Sequence, residues 1–236
     1  MAAGERCDAG GLVCAGVDGK EPRALPDAFG GWVCRGFKNW DRIHRWCLAP
    51  QRDQPPLSTD ERRVELRRVL RNRDLSKDRI MMLSDGPYSG VTAREMGLDD
   101  QEWRRMSLML RIEHEATHYF TQRVLGSTPD ALQDEIVADW AAITRVAGRY
   151  RSDWFLRFMG LEHSPAYRPG GRLEHYCDRR ITPPHEFERL QRQVRAAAVN
   201  LEAFDEKEGA RYRESQDRAR LIVALEILVL DELASP

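Results

Sequence analysis

The sequence lacks several features that would identify common classes of protein. It has no C-x-x-C pair, and five cysteines in 236 residues are too few for a disulfide scaffold, so we predict reduced thiols. It has no G-x-G-x-x-G and no complete phosphate-binding loop. The longest apolar run, LIVALEILVL at 221–230, contains Glu226 and is too short to span a bilayer. We expect this run to form a buried C-terminal helix.

Charge and targeting signals are also weak. The N-terminal stretch MAAGERCDAGG carries two acidic residues and no apolar segment, so we predict no secretory signal and a cytoplasmic protein. Basic and acidic residues nearly cancel, at 37 and 38, for a net charge of −1. This balance gives no support to a nucleic-acid or membrane-surface partner. Arginine outnumbers lysine, which we interpret as the genome composition of a GC-rich bacterium.

Hydrophobic periodicity and capping residues predict a mainly α protein with a small β element. Residues 1–57, where glycine, proline and cysteine recur, are predicted to be an irregular region packed on a main domain at 58–236. A short apolar run, Ile80 to Leu83, predicts one strand. Helices are predicted at 58–73, 99–126, 128–148, 150–160, 185–208 and 210–234. The predicted caps of the first three are Ser58 or Thr59, Asp99 or Asp100, and Thr128, and Gly126 and Gly148 are predicted to end the second and third.

The stretch RMSLMLRIEHEATHYFTQRVLG, residues 105–126, carries the chemistry of the chain. His114 and His118 are four residues apart, so on a helix they lie on one face and can direct two imidazole nitrogens at one point. Glu115 lies about 100° around the helix from His114, where it can take a proton from a water molecule at a metal. This is the arrangement of H-E-x-x-H in zinc peptidases. The alternative is a polar surface on an ordinary helix.

A catalytic zinc usually takes three protein ligands. In the metzincin pattern the third ligand comes from the same helix, which would require glycine at 121 and histidine at 124. Those positions hold Thr121 and Val124, so this pattern is excluded. The next helix offers QDEIVADW, in which Glu135 and Asp139 are four residues apart and share a face. A helix that turns back and packs antiparallel brings this face to the histidines. We predict Glu135 as the third ligand and Asp139 as the group that orients a ligating histidine.

HEATH followed by DEIVAD resembles the gluzincin branch of the zincin metallopeptidases, and also a group of uncharacterised bacterial H-E-x-x-H proteins. The matched positions are His114, Glu115, His118, Glu135 and Asp139. The resemblance implies a zincin-like metallohydrolase domain that binds one Zn²⁺ and most readily hydrolyses a peptide or protein substrate. The residue before Glu135 is Asp134 rather than the asparagine common in thermolysin-like enzymes.

Hydrolysis also needs a donor for the transition-state oxyanion. The long loop at 161–186 offers several candidate donors, which are His163, Tyr167, Arg172, His175 and Tyr176. We favour the segment GGRLEHY, because two glycines let the backbone approach a site, and we predict His175 and Tyr176 as catalytic donors. One alternative is a non-catalytic, metal-stabilised binding or regulatory protein. Another is a carboxylate di-iron protein, since Glu115 and His118 form an E-x-x-H, but the required second E-x-x-H is absent from the sequence.

Overall fold

The computed structural model describes residues 30–48, 57–126, 130–177, 181–212 and 215–235. The chain is mainly helical, as predicted, with one two-stranded sheet among these residues. It divides into two compact units, Met1–Met82 and Leu83–Pro236, whereas the sequence suggested a boundary after residue 57. No described helix is long and apolar enough to cross a membrane.

The first unit contains the sheet and three helices. Strand β1 (Gly31–Lys38) pairs with β2 (Lys77–Leu83), and the strand predicted at 80–83 is therefore confirmed and begins earlier. Helices α1 (Trp40–Leu48), α2 (Thr59–Arg71) and α3 (Arg73–Ser76) lie between the strands in sequence.

The prediction of an irregular region over 1–57 is wrong for part of that range, because β1 and α1 fall within it. Residues 1–29 and 49–56 of the predicted region lie outside the described residues. Helix α2 begins as expected from its capping residues. The Ser58 hydroxyl accepts from the Glu61 backbone N–H, and the Glu61 carboxylate accepts from the Ser58 N–H.

The second unit holds most of the helices. They are α4 (Ala93–Met96), α5 (Asp100–Leu125), α6 (Ala131–Ala147), α7 (Ser152–Met159), α8 (Pro184–Glu208), α9 (Ser215–Glu226) and α10 (Leu230–Ala234). Short 3-10 turns occur at Tyr88–Gly90, Arg172–Tyr176 and Gly209–Tyr212.

Helices α5 and α6 form a hairpin that positions the motif residues. Asp99 caps α5 by accepting from the backbone N–H groups of residues 101 and 102, and Gly126 ends the helix, both as predicted. Helix α6 starts later than expected. Its cap is Asp130, which accepts from the Leu132 N–H at 2.8 Å, so the prediction of Thr128 as cap is wrong and Thr128 itself lies outside the described residues.

The core of this unit forms around α6, which is buried without interruption from Ile136 to Ile143. Large buried side chains from the neighbouring segments complete it, among them Trp103, Leu110, Trp140, Phe155, Phe158 and Leu173. A helix enclosed in this way has few solvated positions, and any carboxylate on its buried stretch must find partners inside the protein.

The single C-terminal helix predicted at 210–234 is wrong. The chain forms a turn, then α9, which ends at Glu226, and then the short helix α10. Ile227 and Val229 between the two helices are exposed, so the apolar run at 221–230 is not one buried helix. The break allows α10 to pack on α8, where Leu233 is buried and its carbonyl accepts from Asn200.

Candidate metal centre

Two histidines of α5 meet at a point between α5 and α6. His114 and His118 have ring centroids 4.5 Å apart and ring planes at 85°, and their Nε2 atoms are 2.9 Å apart. His114 is buried and His118 is partly exposed. Because four residues make just over one helical turn, the local geometry of α5 explains why both rings reach the same place.

Glu135 of α6 completes a group of three ligand side chains. Its Oε2 lies 3.4 Å from His114 Nε2, and its Oε1 lies 3.5 Å from His118 Nε2. Ligand atoms of the three residues all lie within 4.8 Å of one another. The structure therefore brings together the three residues predicted as metal ligands, as the antiparallel hairpin requires.

The Nδ1 atoms of both rings face carboxylates of α6. Asp139 Oδ1 lies 2.9 Å from His114 Nδ1, and Asp134 Oδ2 lies 2.8 Å from His118 Nδ1. His114 is hydrogen-bonded to Asp139 through Nδ1, whereas His118 Nδ1 faces Asp134 in an ion-pair contact without hydrogen-bond geometry. Both rings turn Nε2 towards the shared point. Ligating histidines in metalloproteins are usually held in this way by a second acceptor, which sets the tautomer and the direction of the ring.

Two further residues enclose Asp139, which is completely buried. The Tyr88 hydroxyl donates to Asp139 Oδ1 at 2.6 Å and lies 2.9 Å from His114 Nδ1. Arg172 donates through Nη2 to Asp139 Oδ2, and through Nη1 to the Tyr88 hydroxyl at 3.4 Å. The carboxylate is thereby paired with a cation and bonded at both oxygens, as a charge in such a site must be.

The charges of the cluster shift the protonation of its members in the metal-free protein. Burial lowers the pKa of His118, but the carboxylates of Asp134 and Glu135 outweigh it and raise the pKa to about 10. Burial alone would raise the pKa of Glu135, yet the two histidines hold it well below its usual range. Both shifts stabilise a carboxylate next to protonated imidazoles in the metal-free protein. A bound metal cation could take the place of those protons.

Glu115 differs from the other acidic residues of the site. It is half-buried, and no described residue forms a hydrogen bond or ion pair with its carboxylate. A nearby charge is that of Arg111, one turn earlier on α5. Glu115 is thus an ionisable group next to the ligand pair whose oxygens are not engaged by the described part of the protein.

The two loop residues predicted as donors have different positions. Burial raises the pKa of the Tyr176 hydroxyl well above its usual range, the Arg172 cation lowers it and the charge of Glu135 raises it, so Tyr176 lies near both residues. His175 is exposed, and its described ring contact is with Tyr176, at 6.4 Å between centroids. On the 3-10 turn, residues 172 and 176 face the site and residue 175 faces solvent.

A close approach of the backbone holds this turn in place. A Cβ on Gly171 would lie 2.5 Å from the Met159 carbonyl oxygen and 2.5 Å from the Gly160 Cα, distances that no side chain can occupy. The GG pair was predicted to let the backbone bend near the site, and Gly171 does so against the end of α7. The turn can then direct Arg172 at Asp139.

Sequence reasoning missed three contributors to the site. Asp134 was noted as a departure from a family pattern, although its position on α6 gave a signal that it could face His118. Arg172 was considered as one donor among several in the loop and was not assigned to Asp139. Tyr88 had no signal, because nothing in the local pattern of residues 84–90 links that turn to His114, 26 residues later.

The cluster of candidate ligands is the same set that the resemblance to gluzincins implied. No curated protein and no solved structure gives a significant match to the chain. One protein-family model matches over the whole length, residues 1–236. The chain belongs to that family, the Family of unknown function (DUF7005).

Proposed function

We propose that this protein is a zinc-dependent hydrolase with a zincin-like domain, and that its leading reaction is hydrolysis of a peptide bond. The observation that carries the proposal is the convergence of His114 Nε2, His118 Nε2 and the Glu135 carboxylate on one point. Two nitrogens and a carboxylate are a common ligand set of catalytic zinc. The carboxylates on both Nδ1 atoms support the same conclusion, because they leave Nε2 for the cation.

The residues present fit a Zn²⁺ ion. His114, His118 and Glu135 would hold it, and three protein ligands leave a position for water. When bound, the ion would act as a Lewis acid and make water a better nucleophile near neutral pH. The proposed chemistry of the chain's own residues follows from where they lie around this point.

Glu115 is the proposed general base. It is next in sequence to a ligand, and its carboxylate is not engaged by any described hydrogen bond or ion pair, so it can accept a proton from water and pass it to a leaving amine. Tyr176 is the proposed donor to the developing oxyanion, because it lies on the turn that carries Arg172 and burial raises the pKa of its hydroxyl, which keeps it protonated. His175 remains a predicted donor, and its exposed position requires the turn to move towards substrate.

A non-catalytic metal site is the second candidate. Three of the acidic side chains, Asp134, Glu135 and Asp139, join α6 to the histidines of α5, so a cation would also tie these helices together. In that case the protein would be a binding or regulatory module stabilised by its metal. A fourth ligand supplied by the protein would favour this function, and a water ligand would favour the hydrolase.

Metal analysis is the first test. Elemental mass spectrometry of protein purified without chelators is expected to give about one zinc per chain for the wild type. Glu135→Ala should lose most of the metal, and Glu115→Gln should keep it. No metal in the wild-type protein, after zinc has been offered, would refute the proposal. Two iron atoms per chain would support the di-iron alternative.

Turnover is tested with the same proteins on a library of fluorogenic peptides. Glu115→Gln is expected to retain zinc and to lose at least about 100-fold in turnover, the usual contribution of a general base. Glu102→Gln on the exposed start of α5 is the matched control and should behave as wild type. A fully active Glu115→Gln enzyme would exclude Glu115 as the base. Zinc without any peptide or ester hydrolysis would favour the non-catalytic function.

A further inference from the structure

Tyr88 reaches the centre of the site from outside both helices of the hairpin. It begins the 3-10 turn Tyr88–Gly90, which follows β2, and it is buried. Its hydroxyl oxygen lies 2.9 Å from His114 Nδ1 and 2.6 Å from Asp139 Oδ1. The phenol therefore contacts both members of the pair that holds the more buried histidine.

The packing of the ring does not explain the hydroxyl. The Tyr88 ring packs edge-on against Phe158, with centroids 4.9 Å apart, and phenylalanine could make that contact equally well. A buried hydroxyl is unfavourable unless it is hydrogen-bonded, and here it is bonded to the ion-pair network around Asp139. The polar atom of Tyr88 is therefore the part that needs a functional explanation.

Helix α5 itself holds the segment that presents Tyr88. The Arg111 guanidinium, three residues before His114, donates to the carbonyls of Ser84 at 3.1 Å, Gly86 at 2.6 Å and Pro87 at 2.7 Å. The Tyr88 backbone N–H donates to the hydroxyl of Ser107, also on α5, at 3.0 Å. The helix that carries His114 thus also fixes the direction of the phenol that contacts its ring.

The turn holds one residue in a backbone conformation that residues other than glycine seldom adopt. Ser89 has φ 51° and ψ 25°, in the left-handed region, although it is not glycine. Its hydroxyl accepts from Arg172 Nη1 at 3.2 Å, which ties the turn to the cation that pairs with Asp139. A strained residue persists when its surroundings determine it, and here those surroundings are the supports of His114.

We infer that Tyr88 is a positioning residue for His114: its hydroxyl, with Asp139, holds Nδ1 and so directs Nε2 to the ligand point. The inference rests on the proposed function for the identity of the ligand, Zn²⁺. The contacts require no reaction step. Asp139 Oδ1 accepts from the Tyr88 hydroxyl and from the proton on His114 Nδ1, and Arg172 occupies Oδ2. Loss of the hydroxyl leaves the ring with one fewer restraint.

The test compares Tyr88→Phe with Tyr150→Phe in the full chain. Tyr150 is an equally buried tyrosine of the same unit, and its hydroxyl has no hydrogen-bond partner among the described residues. Zinc affinity is measured by competition with a chromophoric chelator. Tyr88→Phe is expected to bind zinc about 10- to 100-fold more weakly than wild type, the usual effect of removing a group behind a metal ligand. Tyr150→Phe should stay within about twofold.

A second measurement does not depend on metal. In metal-free protein labelled with ¹⁵N at histidine, Tyr88→Phe is expected to shift the His114 Nδ1 resonance and to speed the exchange of its proton with water. Tyr150→Phe should change neither. Unchanged exchange and unchanged zinc affinity in Tyr88→Phe would each overturn the inference. If the wild-type protein binds no zinc, and Tyr88→Phe still speeds the exchange of the His114 Nδ1 proton, the proposed function is refuted and the positioning role of Tyr88 stands.

A further variant guards against loss of folding. Ser107→Ala keeps the phenol and removes the acceptor of the Tyr88 backbone N–H. It should weaken zinc binding in the same direction as Tyr88→Phe, by a smaller factor, and speed exchange at His114 Nδ1. Circular dichroism and the thermal midpoint establish that each variant is folded. A folded Ser107→Ala protein identical to wild type in both measurements would also contradict the inference.

Discussion

The two histidines of the site have unequal surroundings. His114 is enclosed, and its support includes the fully buried Asp139, the Tyr88 phenol and the Arg172 guanidinium, which come from three separate segments. His118 has a side chain 21% exposed and is held by Asp134, itself 19% exposed. One ligand is therefore set by the packed interior and the other by a single partner near the surface. This difference predicts that mutations around His114 and mutations around His118 have different effects.

The largest effect is expected from the carboxylates behind the two rings. Asp139→Asn removes a buried anion and leaves Arg172 with only the longer ion pair to Glu135, at 3.9 Å. It should therefore lower the free energy of unfolding by about 3–5 kcal/mol. Asp134→Asn changes a partly exposed carboxylate and should cost about 1 kcal/mol. Urea unfolding of metal-free protein measures both. Equal losses in the two variants would contradict the proposed asymmetry.

The turn that carries Arg172 supports His114, the enclosed histidine. Gly171→Ala would place a Cβ against the Met159 carbonyl oxygen and the Gly160 Cα, and we expect a loss of about 1–3 kcal/mol with weaker zinc binding. Gly170→Ala is the neighbouring control, where a Cβ meets nothing within 4 Å and the cost of a positive φ alone applies. Chemical denaturation and chelator competition distinguish the two. A Gly170→Ala protein more impaired than Gly171→Ala would show that the close approach is unimportant.

The protonation of His118, the more exposed histidine, should make stability and zinc affinity depend on pH. In metal-free protein the pKa of His118 is about 10, above the ordinary 6.5, because Asp134 and Glu135 outweigh burial. Its protonation stabilises the fold fully below pH 6.5, and this contribution is lost as pH rises through about 10. Zinc must displace that proton, so zinc affinity should rise about tenfold per pH unit between roughly pH 7 and 9.

Competition titrations at several pH values measure this slope, and calorimetry in buffers of different ionisation enthalpy counts the released protons. Asp134→Asn removes one of the two carboxylates that raise the pKa of His118, and it should flatten the slope. Zinc affinity that does not change with pH would contradict the protonated state of His118.

The last prediction concerns Glu226 of α9. It is fully buried, neither carboxylate oxygen has a hydrogen-bond partner among the described residues, and burial with the charge of Asp134 raises its pKa from 4.5 to about 7. This carboxyl therefore stabilises the fold below pH 4.5, and the contribution is lost as pH rises through about 7. Glu226→Gln should be more stable relative to wild type at pH 8 than at pH 5, by about 1–3 kcal/mol.

Urea unfolding at the two pH values with a chelator present measures the difference for Glu226→Gln. Glu188→Gln, an exposed residue of α8, is the control and should show no such dependence. A difference that is the same at pH 5 and pH 8 would show that Glu226 stays ionised or stays neutral throughout.

Local sequence signals predicted the parts of the fold that depend on short-range geometry. Ser58, Asp99, Gly126 and Gly148 begin or end helices where their chemistry indicated. The predicted start of α6 was wrong because Asp130 competes with Thr128 as a cap, and both are residues that favour that position. The C-terminal helix was wrong because an unbroken apolar run does not reveal where a chain must turn to pack its last residues on a neighbour.

The sequence by itself determined the register of the ligands. The spacing of His114 and His118 on α5, and of Glu135 and Asp139 on α6, places each pair on one helical face whatever surrounds it. The tertiary structure alone decided the support of those ligands. Tyr88 and Arg172 come from turns 51 and 33 residues away from Asp139 in sequence, and they meet it through packing and close backbone contact. Helical geometry repeats over a few residues, whereas a buried ion pair needs partners from wherever the core brings them.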